Sequence, residues 1–252
     1  MRGYTAFAGY YDRLMGDIDY KARARYLLSL FKLHDPHKPP LSLLDLGCGS
    51  GSLALQLSAL GIDVIGVDGS AEMLCLASDK ANKSAVPLML LCQDMRELDL
   101  YGTVDGAVCT LDCLNHLCST KELAEVFNRL FLFIQPGGLF IFDVNTVYKH
   151  RFVLGDNSFV YEQDDFLCIW RNRLINRTAQ VSMQLDFFVK QSKGYTRLTD
   201  SLRERAYSQR TLKKLLSKAG FNTLAVYEDM TTECIKDDTQ RMVFVAQRRI
   251  EG

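Results

Sequence analysis

The chain has 252 residues, 48% of them hydrophobic and 24% charged, which suits one large α/β domain with a small insertion and excludes a disordered chain. Lysine plus arginine and aspartate plus glutamate both total 30, so the chain lacks the basic excess that holds duplex nucleic acid by its phosphates. The most apolar runs, residues 130–134 and 139–144, are too short to span a bilayer, and residues 1–11 lack a signal-peptide core. A soluble cytoplasmic protein is expected. The cysteines, Cys48, Cys75, Cys92, Cys109, Cys113, Cys118, Cys168 and Cys234, form no C-x-x-C pair and have no histidine at zinc-ligand spacing. They read as reduced structural thiols, with no metal site.

Residues 41–46 predict a strand, followed by a helix over 52–60 with Leu53, Leu57 and Leu60 on one face. A second strand over 63–67 leads to Ser70, which can cap a helix burying Met73, Leu74, Ala77 and Ala81. Strands follow at 88–93 and 104–110. Ser119 with Glu122 forms a capping-box pattern, and behind it Leu123, Val126, Phe127, Leu130, Phe131 and Ile134 repeat at helical spacing. Pro136-Gly137-Gly138 predicts a turn before a fifth strand over 139–144. Strands alternating with helices imply right-handed crossovers and a mostly parallel sheet covered on both faces.

The rhythm changes after Tyr148. Residues 158–163, 166–174, 180–190 and 195–207 predict strands. Val181, Met183, Leu185, Phe187 and Val189 alternate with mostly polar neighbours, as in a half-buried antiparallel strand. Asn176-Arg177 and residues 192–194 read as hairpin turns. Residues 150–206 are thus expected to form an antiparallel β insertion within a domain built from 1–149 and 207–252. Leu212, Leu215, Leu216 and Ala219 mark a last helix, with Gly220 at its C-terminal cap. Strands over 223–228 and 241–247 complete a doubly wound, Rossmann-like, seven-stranded sheet.

The chemical signal is concentrated in Asp45-Leu46-Gly47-Cys48-Gly49-Ser50-Gly51-Ser52, where a strand ends and a helix begins. Glycines there let the backbone turn sharply and approach a ligand closely, and the helix start offers free N–H groups. Alone, such a string also fits a plain strand–helix turn. Asp68 ends the second strand, 21 residues beyond Gly47, near the spacing at which an acid reaches a ribose hydroxyl. It also fits a solvated loop acid or a helix cap. A nicotinamide site would read G-x-G-x-x-G or G-x-G-x-x-A, but the third position here is Ser52.

Asp45-x-Gly47-x-Gly49-x-Gly51, the acid at Asp68, Gln93-Asp94-Met95 after the third strand and Pro136-Gly137-Gly138 before the fifth resemble the ordered motifs of class I S-adenosylmethionine-dependent methyltransferases. The resemblance covers residues 41–148. It extends loosely through Tyr10-Tyr11-Asp12-Arg13-Leu14-Met15 and Lys218-Ala219-Gly220-Phe221 to a bacterial small-molecule branch that includes amino-sugar N-methyltransferases. It implies S-adenosyl-L-methionine as cofactor. Gly47, Cys48 and Gly49 would line its methionine part, and Asp45 would orient the loop and the amino group. Asp68, with Gly69, would hold the ribose. Asp94 would accept from the adenine amino group, the Met95 N–H would meet a ring nitrogen, and Met73 would pack on the adenine face unless it is plain core.

Leu111-Asp112-Cys113-Leu114-Asn115-His116 follows the fourth strand, and open α/β sheets bind ligands beyond the carboxyl ends of their strands. This puts Leu111, Asp112 and His116 near the sulfonium and the acceptor. His116 reads as a general base or as a loop-satisfying residue, and Asp112 as a holder of an acceptor amine or a strand end. Tyr4, Tyr10, Tyr11 and Tyr20 can form an aromatic lid, with Tyr11 favoured, or pack on a surface helix. The insertion reads equally as a substrate cap or a dimerisation sheet, so a monomer or homodimer is expected. Without a visible metal cluster, N-methylation of a small-molecule acceptor is favoured over O-methylation. The alternatives are a non-catalytic cofactor-binding module and an RNA or protein methyltransferase. Nucleic acid is disfavoured by the neutral charge and by Leu111-Asp112-Cys113-Leu114, which departs from the Asn/Asp-Pro-Pro-aromatic tetrad.

Overall fold

A computed structural model describes residues 8–35, 37–175 and 177–250. Five parallel strands, β1 (Ser42–Leu46), β2 (Asp63–Asp68), β3 (Met89–Cys92), β4 (Val104–Cys109) and β5 (Ile134–Asn145), are joined by β10 (Phe221–Glu228) and β11 (Arg241–Arg248) in the order β10-β11-β5-β4-β1-β2-β3. Only β11 runs antiparallel to its neighbours. This is the Rossmann-like, doubly wound, seven-stranded sheet expected from the alternating pattern. No helix among the described residues is long and apolar enough to cross a membrane.

Alternation along the strands sends successive side chains to opposite faces. Leu44, Leu46, Phe140, Phe142 and Phe244 meet α5 (Thr120–Phe133) and α6 (Gln209–Lys218) on one side. Leu43, Ile141, Val243 and Val245 meet α2 (Tyr20–His34) and α3 (Ser52–Ala59) on the other. α5 owes its start to the reciprocal Ser119–Glu122 capping box and its packing to Leu123, Val126, Phe127 and Leu130, all fully buried. Each such side chain contributes about 1.5–3 kcal/mol, an upper estimate.

Two sequence expectations are corrected. Pro136-Gly137-Gly138 is not a separate turn. It lies within β5 as a bulge between the pairs Val104–Ile134 and Gly106–Leu139, with Gly137 at φ +81°. A side chain at Gly138 would strike the Asp105 carbonyl, so the residues that read as turn formers serve close strand approach. The insertion also starts as a π-helical turn, Lys149–Leu154, which buries His150 and Leu154 before any strand begins. Among the described residues two helices precede β1: α1 (Ala8–Leu14), carrying Tyr10 and Tyr11, and α2, which begins at Tyr20 and whose Ala24, Leu27, Leu30 and Phe31 recur at helical spacing.

The insertion forms a four-stranded antiparallel sheet of β6 (Ser158–Glu162), β7 (Phe166–Ile175), β8 (Gln180–Lys190) and β9 (Tyr195–Arg205), in that order. Its inner face, with Phe166, Cys168, Val181, Met183, Leu185 and Phe187, clusters with Ala8 of α1 and with Met73 of α4 (Ala71–Ser84). The sheet therefore roofs the carboxyl ends of β1, β2 and β4, where open α/β sheets bind ligands.

Candidate active site

Under that roof lies a pocket of about 870 Å³ including its open mouth, within the range of cofactor and ligand sites. Gly47, Gly49, Asp68, Gly69, Met73, Gln93 and Met95 line one end; Leu111, Asp112 and His116 line its middle. The insertion adds Trp170, Met183, Leu185, Leu202 and Glu204, and α1 adds Tyr11 and Met15. A smaller cavity of about 300 Å³ adjoins it, sharing Tyr11, Gly47, Leu111 and Cys113 and reaching Asp45, Cys48 and Tyr20.

The glycine loop is left-handed at Gly47, Gly49 and Gly51, with φ of +78°, +54° and +73°. The Gly47 and Cys48 amides both donate to the Val67 carbonyl, at 2.7 and 3.0 Å, fixing the loop to β2. Nothing lies within 4 Å of where a side chain at Gly49 would project, so that face is open to a ligand. Asp68 accepts from the Gly49 amide and the Ser70 amide, both at 2.8 Å. Burial raises its pKa, opposed by those two N–H groups. Ser70 in turn caps α4 at Met73. Asp45 is only 2% exposed, and its Oδ2 has no hydrogen-bond partner. Burial, reinforced by the Asp68 charge and opposed by the Ala54 N–H, pushes its carboxyl up to about 7.

After β4 the backbone is strained. Leu111 and Asp112 sit at φ +58° and +57°, a conformation that costs non-glycine residues about 1–3 kcal/mol each. Asp143 holds them there, its carboxylate accepting from the Leu111 amide at 2.8 Å and the Asp112 amide at 2.9 Å. Arg241 bridges Asp143 and Asp112, meeting the latter at 2.5 Å, and Arg23 links Asp143 to Asp229. Although burial works against it, Arg241, helped by Lys149 and His116, holds the Asp112 carboxyl below the usual range. Burial lowers the pKa of Lys149, and so does Arg241.

Glu204 of β9 is 4% exposed. Its Oε1 is 4.0 Å from His116 Nε2, and its Oε2 accepts from Asn145 Nδ2 at 3.2 Å. The fully buried His150 brings Nε2 to 3.3 Å from the same Oε2, without hydrogen-bond alignment. α1 closes the pocket. Asp12 accepts from Ser50 of the glycine loop at 2.5 Å and pairs with Lys80 at 2.6 Å. Arg13 reaches Gln163 and Asp165 of the insertion and lies over the Phe166 ring.

A family model described as a methyltransferase domain matches residues 43–138. A Geobacillus sp. (strain WCH70) protein named "Putative methyltransferase" is 31% identical over 246 residues, spanning 97% of this chain and 99% of the relative. An S-adenosylmethionine-dependent methyltransferase from Clostridium acetobutylicum ATCC 824 has a similar crystal structure, with a TM-score of 0.86 at 30% identity over 98% of this chain and 99% of that one. The chain belongs to the S-adenosylmethionine-dependent methyltransferases. The sugar N-methyltransferase KedS8 from Streptoalloteichus sp ATCC 53650 shares the fold, with a TM-score of 0.79 at 21% identity over 99% of this chain and 95% of that one.

The methyltransferase uses S-adenosylmethionine, and its pocket fits that cofactor. An unpartnered buried carboxylate oxygen at Asp45 suits the amino group, the open glycine face suits the methionine chain, and Asp68 keeps acceptor capacity beyond its two amide bonds. Among the residues that the sequence motifs pointed to, Tyr11, Gly47, Gly49, Asp68, Gly69, Met73, Met95, Leu111, Asp112 and His116 line the main pocket, and Asp45 and Cys48 the smaller one. Asp94 is outside both. Its carboxylate is taken by the Arg96 guanidinium at 2.5 and 2.9 Å and by the Arg96 amide, and Arg96 lowers its pKa. Tyr4 lies outside the described residues, Tyr10 packs on Phe166 and Phe187, and Tyr20 lines the smaller cavity.

The sequence pattern did not single out Asp143, Arg241, Glu204 or His150. Glu204 did leave a signal: Leu198, Asp200, Leu202 and Glu204 fall on one face of β9, placing two acids at apolar-face positions. The expectation of no metal-type cluster also changes, because Asp112, His116 and Glu204 bring one donor atom each within 4.8 Å of one another. Of these three donors, Asp112 is already engaged by the Arg241 guanidinium.

Proposed function

We propose that this methyltransferase methylates a small-molecule acceptor, at nitrogen in preference to oxygen, with residues 150–206 as the substrate cap. The observation that carries this is the enclosure of the pocket. Trp170, Met183, Leu185 and Leu202 wall its outer side, leaving room for a compact acceptor and little for a macromolecular strand. The enzyme likeness to the sugar N-methyltransferase KedS8 supports the choice of nitrogen at the level of fold alone.

In this reading Asp45 receives the cofactor's amino group, Asp68 its ribose hydroxyls, and the Met95 backbone its adenine edge. S-adenosylmethionine, when bound, would supply a methyl carbon activated toward an acceptor lone pair by its sulfonium, with sulfur as the leaving atom that keeps the electron pair. The chain's own work is alignment, exclusion of water and removal of a proton. His116 takes one proton from an acceptor ammonium, freeing the lone pair, and the product keeps its positive charge as a methylated ammonium. Asp112, bound by Arg241, acts as a positioning residue for the strained loop that carries His116 and not as a free proton acceptor. Incubation with methyl-labelled cofactor and pooled metabolite amines tests the proposal. Label is expected in low-molecular-weight N-methyl products; label confined to RNA or protein would overturn it.

A further inference from the structure

Around the acceptor end, four carboxylates, Asp112, Asp143, Asp229 and Glu204, face three cations, Arg23, Lys149 and Arg241. Asp112, Asp143 and Asp229 each have a guanidinium partner. Among the described residues, no arginine or lysine comes within ion-pair distance of Glu204, whose near neighbours are Asn145, His116 and His150. A buried carboxylate in that position is costly unless a proton or a cation is brought to it.

His150 strengthens the point. Its Nδ1 is 2.9 Å from the Ala179 carbonyl, which can only accept, so Nδ1 carries the hydrogen. Its Nε2 therefore presents a lone pair toward Glu204 Oε2 unless a proton lies between them. With that oxygen accepting from Asn145 and facing the His150 lone pair, Oε1 remains the acceptor on the pocket wall. His116 and Asp112 stand beside it, Trp170 and Leu202 line the apolar part of the same pocket, and no arginine or lysine lines the pocket among the described residues.

We propose that Glu204 determines acceptor specificity, by binding the ammonium of an amine whose body is apolar and packs on Trp170 and Leu202. The proposal rests on the small-molecule reading above and narrows it: among the described residues lining this pocket a phosphorylated or nucleotide-linked acceptor would meet no arginine or lysine. Asn145, whose side chain donates to Oε2, is a positioning residue that aims the carboxylate.

The test uses the full chain saturated with S-adenosylhomocysteine, whose binding is measured first. Phenethylamine, 2-phenylethanol and phenyl phosphate are then titrated by ligand-observed NMR. Phenethylamine is expected to bind about tenfold more tightly than the isosteric alcohol, as a charge-assisted bond warrants, with phenyl phosphate weakest. Glu204→Gln should bring amine and alcohol to similar affinity without changing affinity for S-adenosylhomocysteine, and Trp170→Ala should weaken both probes. Equal binding of amine and alcohol to the unaltered chain, tightest binding of phenyl phosphate, or no binding of any probe would overturn the proposal. The unaltered-chain comparison decides even if the glutamine variant misfolds. Failure to bind S-adenosylhomocysteine at all would instead overturn the cofactor-site reading beneath it.

Discussion

A carboxyl with a pKa near 7 inside a cofactor pocket makes cofactor binding pH-dependent, and the sign follows from the direction of the shift. Burial, which penalises its charge, pushes Asp45 up to about 7 in the folded chain, against 3.8 for the free side chain. Between those values the folded state holds the proton and the unfolded state does not. The stabilisation this gives the cofactor-free chain is complete below about 4 and is lost as pH rises to about 7. Binding a cationic amino group selects the ionised form, so affinity for S-adenosylhomocysteine should rise from pH 5 to 7, by at most about tenfold per unit, and then level off. Calorimetry across that range checks it, and Asp45→Asn should flatten the slope. Asp68 carries a second prediction. Asp68→Ala should weaken S-adenosylhomocysteine by about 10- to 100-fold, the equivalent of a lost charge-assisted bond of about 1.5–3 kcal/mol. It should also lower Tm, because the Gly49 and Ser70 amides lose their acceptor. An unchanged dissociation constant would reduce Asp68 to a loop-holding acid.

At the scale of elements, α1 is short and joins two parts of the molecule mainly through side chains, with the Arg13 carbonyl also accepting from Gln163. Asp12 ties it to the glycine loop, Arg13 to the insertion, and Tyr11 faces both cavities. If α1 gates the pocket, weakening its ties should speed the release of ligand. The Arg13–Asp165 pair is solvent-exposed and adds little to global stability. Arg13→Ala should therefore leave Tm unchanged while speeding release of S-adenosylhomocysteine roughly threefold, since affinity changes at an interface fall mostly on the off-rate. Stopped-flow displacement measures this, and an unaltered off-rate would show that α1 does not gate the pocket. β9 illustrates a different limit. Its inward acids were visible as exceptions in an alternating pattern, but alternation says nothing about what an inward acid meets. Likewise, Asp94 follows β3 as the motif requires, yet Arg96, two residues on, claims its carboxylate through a local geometry that spacing alone does not encode.

For the whole molecule, the question is whether the insertion is a separate unit. Its inner face shares one apolar cluster with Ala8 and Met73, Tyr207 at its exit donates to the Leu117 carbonyl, and Asn115 donates to the Arg205 carbonyl at 2.9 Å. These ties predict a single cooperative thermal transition, with calorimetric and van't Hoff enthalpies in agreement; two resolved transitions would show an independent domain. They also change what a deletion should do. Replacing residues 157–205 with a Gly-Ser linker should weaken cofactor binding as well as remove the acceptor wall, because Met73 and α1 lose their packing partners. Unchanged affinity for S-adenosylhomocysteine in the shortened chain would return the insertion to a role confined to the acceptor or to self-association.

The sequence by itself determined the features governed by local rules. Period-two and period-3.6 hydrophobicity set the parallel sheet, its covering helices and the antiparallel insertion, while the Asp45–Gly51 string and Asp68 pointed to the end of the pocket proposed for the cofactor. Strand ends and glycine turns act over a few residues, so their chemistry is written in adjacent positions. The acceptor end was decided by tertiary structure. Asp112 meets Arg241 across 129 residues of chain, Leu111 is held by Asp143 across 32, and Glu204 comes from an inserted strand to stand between His116 and His150. No spacing rule relates such residues. Their meeting depends on β11 lying beside β5, on the strained turn after β4, and on the insertion folding back over the strand ends, each of which follows from the packing of the whole chain.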